Sequence, residues 1–224
     1  MFFGYQNGFY EGGVEATQAA YDTFWDDFQD NGTRTDYQAG FAGQGWSDEL
    51  FKPKYIIKPK ICSYMFYKSG IKNLKKCLED AGVYIDFNNS NVITFYWMFS
   101  NSSITHCPFI GNKYVTNLTN LFQQCKDLVS VDYIQVKPNV DITCSNAFTN
   151  CSKLEYVEFS VNFKPKSLNL SPCIKLSHDA ILYLFYSLAD LGSGSGSITL
   201  GTTNLNKMTD AEKAIATEKG WTLA

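Results

Sequence analysis

Residues 121–134 read LFQQCKDLVSVDYI, and residues 147–160 read AFTNCSKLEYVEFS. In both, a phenylalanine (Phe122, Phe148) is followed by cysteine three places on (Cys125, Cys151), leucine six on (Leu128, Leu154) and valine nine on (Val131, Val157). The two phenylalanines lie 26 residues apart. Two looser copies precede them: Phe66 and Phe99 carry a serine at the third place (Ser69, Ser102) and apolar anchors five and eight places on, and the intervals from Phe66 to Phe99 and from Phe99 to Phe122 are 33 and 23 residues. One such segment alone leaves a hydrophobic edge in water. Stacking against its neighbours merges those edges into a core.

A period between about 20 and 30 residues with leucine and cysteine at fixed offsets predicts an α/β chain built as an irregular leucine-rich-repeat solenoid with one short strand per coil, paired in parallel. Leu128, Val131 and Tyr133 are expected inward from one strand, and Leu154, Val157 and Phe159 from the next. The cysteine or serine at the third place is expected to be a buried side chain where the chain turns into the strand. Strand alternation then turns Ser130 and Asp132 outward, and Tyr156 and Glu158 beside them. Aligning the looser copies on their eighth-place residue sets His106 in the column of Ser130 and Tyr156. This places His106, Asp132, Tyr156 and Glu158 on an open face, the surface that solenoids commonly use to bind.

The ends differ from the middle, as caps must. In the region 1–54, Tyr21, Phe24, Trp25 and Phe28 form one apolar stripe of an amphipathic helix closing at Asn31-Gly32, and the glycine-rich YQAGFAGQGW (37–46) reads as a packed loop. The region 55–165 holds the repeats. The proline-spaced FKPKYIIKPKI (51–61), reading as extended chain, leads into it, and it includes a helix over IKNLKKCLEDAG (71–82) and a strand over VYIDF (83–87). In the region 166–224, Ser177 is placed to cap a helix running to Gly192, GSGSGS (192–197) reads as a flexible link into a strand over SITLG (197–201), and Thr209 caps a last helix ending at Gly220. Trp221 is expected to fold back onto the core.

The phenylalanine, cysteine and leucine offsets, together with the flanking YDTFWDDFQDNGTRTDYQAGFAGQGWSDELFKPKY and ITLGTTNLNKMTDAEKAIATEKGWTLA, resemble BspA-like leucine-rich repeat proteins of gut Firmicutes and their prophages. The resemblance implies a bacterial surface or virion protein of binding type and brings no catalytic residues with it.

Composition narrows the chemistry. The chain of 224 residues is 45% hydrophobic and 16% aromatic, enough for a substantial core, and its net charge of -3 gives no basic field for nucleic acid. The start, MFFGYQNGFYEGG, has no basic segment followed by an apolar run, and no window reaches about 18 consecutive apolar residues, so neither a cleavable signal nor a membrane span is expected. Seven scattered cysteines and two histidines form no CxxC pair and no zinc-spaced cluster. Asp27, Gln29, Asn31 and Gly32 fit the opening of a calcium loop, but Gln38 stands where its closing carboxylate is needed. His106 beside Cys107 is not a thiol dyad, because neighbours on a strand face opposite ways, and His178 reads as a surface residue. No catalytic site and no cofactor is expected. The readings left are a recognition or adhesion module for a protein or glycan, or a purely architectural subunit of a virion tail or baseplate.

Overall fold

The ring of Phe99 lies flat against that of Phe66 on one side and that of Phe122 on the other, at 5.0 and 5.2 Å between centroids, and the column continues to Phe41 and to Phe148 at 5.2 and 5.7 Å. These rings come from a computed structural model that describes residues 40–43, 45–53 and 56–224. The helical stripe of Tyr21, Phe24, Trp25 and Phe28 and the calcium-like loop lie outside the described residues. Phe41, read from sequence only as part of a packed loop, is the first ring of the column among the described residues.

Phe66, Phe99, Phe122 and Phe148 are held by the same backbone device. The residues two before and two after each adopt left-handed conformations: Tyr64 and Lys68, Trp97 and Asn101, Asn120 and Gln124, Asn146 and Asn150. Alternating left- and right-handed residues swings successive N–H groups to one side. They donate to the next coil: Trp97 N to Thr119 O at 3.1 Å, Phe99 N to Leu121 O at 2.9 Å, and Asn101 N to Gln123 O at 2.7 Å, with the same trio from Phe66 and from Phe122.

The opposite edge carries short parallel strands, and the chain as described is mixed α/β with few helices and no closed barrel. In chain order the elements are α1 (Leu74–Ala81), β1 (His106–Cys107), β2 (Ile110–Gly111), β3 (Ser130–Gln135), β4 (Asp141–Thr143), β5 (Tyr156–Phe159), β6 (Lys164–Lys166), α2 (His178–Ser187), β7 (Gly196–Ile198), α3 (Gly201–Leu205), α4 (Asp210–Thr217) and β8 (Trp221–Leu223). β1 and β2 run along one side of β3 in a single register, interrupted at Pro108, which has no N–H to give. β5 lies on the other side of β3, and β4 pairs with β6. Leu128, Val131, Leu154, Val157 and Phe159 are all buried, as are all seven cysteines, which carry free thiols.

Several expectations need correction. Tyr133 is not inward: β3 carries a bulge against β5 between Val131 and Ile134, so Asp132 and Tyr133 together oppose Glu158 and the inward position passes to Ile134. VYIDF is reduced to one isolated bridge, Ile85 to Ile57. The helix after Ser177 stops at Ser187 rather than Gly192, because Ser187 O and Ala189 N bond to Phe163 and draw the chain into a parallel bridge at Leu188. The GSGSGS segment is not wholly a link. Gly196 and Ser197 begin β7, which pairs with β8 at the end of the chain, and a Cβ on Gly196 would stand 2.6 Å from the Trp221 ring. α4 is shorter than expected but starts at Thr209 with a full capping box to Glu212. A further copy of the motif went unread: Leu170, Cys173 and Leu176 keep the offsets, with leucine in place of the phenylalanine, and all three are buried. Among the described residues no helix is long and apolar enough to cross a membrane.

Candidate functional site

Parallel pairing aligns His106 with Ser130 and Ser130 with Tyr156, and an isolated bridge adds Asn73 on the far side of His106. The column set by eighth-place alignment is therefore the register found. Its side chains are partly exposed and point away from Cys107, Val131 and Val157, which are buried.

His106 sits at the rim of this face. Thr105 Oγ1 gives its one proton to Lys72 O at 2.9 Å and therefore accepts from His106 Nδ1 at 2.9 Å. Asp132 is tied across the coil to Lys75 at 2.8 Å, with both side chains about two-fifths exposed (42% and 38%), and the bond raises the Lys75 pKa above its ordinary value.

Tyr156 and Glu158 stand two places apart on β5, on the same side, and the phenol donates to Glu158 Oε2 at 2.7 Å. Partial burial and then the neighbouring carboxylate push the Tyr156 hydroxyl up to about 12, so it remains a donor throughout the neutral range. The bulge adds a residue that strict alternation had turned inward. Tyr133 stacks on Phe109 at 5.6 Å and 12°, and Phe109 is 47% exposed. Burial, followed by Glu158, raises the Tyr133 pKa as well. On the far side Tyr183 of α2, 49% exposed, meets the Tyr156 ring edge-on at 6.5 Å. The four candidates thus share one face, Glu158 lies between two aromatic pairs, and Tyr133, Phe109 and Tyr183 complete it. Phe109 follows a proline and Tyr183 lies on a helix, so neither falls in the strand periodicity from which the face was read.

The face can accept and donate hydrogen bonds between exposed aromatic rings, the chemistry of reversible recognition. Among the described residues no three side chains of histidine, cysteine, aspartate or glutamate converge to hold a metal. A separate groove of about 500 Å³ lies between β6 and β7. Asp141 binds both of its lysines, Lys164 at 3.0 Å and Lys166 at 2.6 Å. Comparison with protein-family models, curated proteins and solved structures finds no match to the chain.

Proposed function

We propose that the chain is a solenoid of the BspA-like leucine-rich repeat kind and serves as a non-catalytic recognition or adhesion module at a bacterial or virion surface. Its partner, a protein or a glycan, docks on the open strand face. The observation that carries this reading is the grouping of His106, Asp132, Tyr156 and Glu158 with two partly exposed aromatic pairs on one side of the parallel column. Aromatic rings supply contact area with little rotamer entropy to lose, and the carboxylates and imidazole around them supply direction. The test is binding of the purified chain to Gram-positive cell-envelope fractions, comparing wild type with a Tyr156→Ala, Glu158→Lys double variant of matched melting temperature. Loss of binding in the variant supports the reading; equal binding removes this face. A stable trimer or ring in solution with no envelope binding would favour the architectural role instead.

A further inference from the structure

The surface on the phenylalanine side has a different chemistry from the strand face. Four offsets bring side chains there: three and two places before the phenylalanine, and one and two places after. Across the coils of Phe66, Phe99, Phe122 and Phe148 these offsets hold serine, threonine, asparagine, glutamine, tyrosine and tryptophan, and Lys68 is the one charged residue. All but Ser100 and Asn120 are at least partly exposed. The first two coils contribute an aromatic group in which Trp97 lies 6.0 Å from Tyr64, 5.6 Å from Tyr67 and 6.1 Å from Tyr96.

Two observations at one offset mark a site within this surface. The left-handed position two before the phenylalanine holds asparagine in the later coils, as its conformation favours, but Tyr64 (φ 60) and Trp97 (φ 57) in the earlier ones. Bulky side chains are disfavoured there, and such outliers gather where a binding surface requires the side chain. At the same offset in adjoining coils, the Trp97 indole N–H and Asn120 Oδ1 have no hydrogen-bond partner among the described residues, although both atoms are buried and Asn120 is 8% exposed. One is a donor and the other an acceptor. Their backbones are joined directly beside them, Trp97 N to Thr119 O at 3.1 Å. A hydroxyl group, which both donates and accepts, can serve either.

We infer that this surface binds a neutral oligosaccharide, with sugar hydroxyls serving the polar atoms of Trp97 and Asn120 and the tyrosines around Trp97 packing on the sugar rings. Neutral amides and hydroxyls beside aromatic rings match an uncharged polyol, and Lys68, 5.1 Å from the centre of the Tyr67 ring, is the one charge at these offsets. This site is separate from the strand face and does not depend on it.

The experiment titrates the protein with cellohexaose, maltohexaose and chitohexaose at millimolar concentration, with hexagalacturonate as the acidic arm. It follows the Trp97 indole N–H resonance and measures affinity by calorimetry. At least one neutral hexasaccharide should shift that resonance saturably. Trp97→Asn and Tyr64→Asn install the residue that later coils carry, so both should keep the wild-type melting temperature or raise it while weakening binding by about tenfold or more. Lys175→Ala, at an exposed position with no part in either face, should bind the sugar as wild type does. The inference is overturned if no neutral sugar moves the resonance, if the acidic sugar binds more tightly, if Trp97→Asn binds as wild type does, or if Lys175→Ala abolishes binding.

Discussion

The thiol at the third place of each motif does more than fill space. Cys125 Sγ donates to Phe99 O at 2.9 Å and Cys151 Sγ to Phe122 O at 3.0 Å, so each sulfur ties its coil to the backbone of the one before. Burial outweighs the stabilising contact with Ser102 and pushes the Cys125 thiol up to about 12, and the Cys151 thiol is raised for the same reason. At pH 8 a group of that pKa is thiolate in roughly one molecule in ten thousand, and the thiolate is the reactive form. Cys125 and Cys151 should therefore stay silent to a disulfide reagent in native protein and count fully after denaturation. Rapid labelling of both in the native state would mean that the motif register is wrong. The serine at this place in the earlier coils is a fellow small donor, which is why the offset was readable there although the residue type changes.

Elements were legible where a periodic pattern and a local cap agreed. α1 follows an asparagine cap and ends on left-handed Gly82, and α4 opens on a threonine-glutamate box; both were read to within a few residues. The strands were legible through their buried valines, which is why His106, Ser130 and Tyr156 fell into line. The bulge in β3 was not, because it is decided by pairing with β5 rather than by any residue within β3, and Tyr133 was misplaced with it. The strand expected over SITLG lies slightly earlier, at Gly196–Ile198, because glycine and serine carry little strand signal, and its partner β8, read only as Trp221 folding back, pairs where the Trp221 ring packs on Gly196. Between elements, His178 bridges α2 to α4, with Nδ1 on Asp179 at 3.0 Å and Nε2 on Glu212 at 2.8 Å. Asp179 first and then Glu212 raise its pKa above 6.5. The imidazolium's contribution is thus complete below pH 6.5 and is lost as pH rises through the higher folded value. Glu212 is shifted the other way, first by Thr209 and then by His178, so its contribution is present above pH 4.5. The melting-temperature gap between wild type and His178→Ala should be widest near pH 5.5 and should narrow by pH 8.5. A gap that is constant across that range would show the bridge to be energetically idle.

At the scale of the whole molecule, the C-terminal segment closes the stack. Trp221 is 3% exposed, its indole donates to Ala189 O at 2.8 Å, and Lys219 Nζ gathers the carbonyls of Phe185, Tyr186 and Leu188 at 3.0, 2.8 and 3.0 Å. The lysine thereby covers the acceptors that the end of α2 leaves open. Trp221→Ala should cost about 3–5 kcal/mol, a large fraction of the about 5–15 kcal/mol that holds a domain together. Thermal melting of the variant should fall steeply, and an unchanged midpoint would deny the tail its closing role. The donor trios beside Phe66, Phe99 and Phe122 make three successive joints alike, so a repeat added or lost between them meets its neighbours through bonds already in use. The number of these repeats is therefore a quantity that gene duplication can change one step at a time.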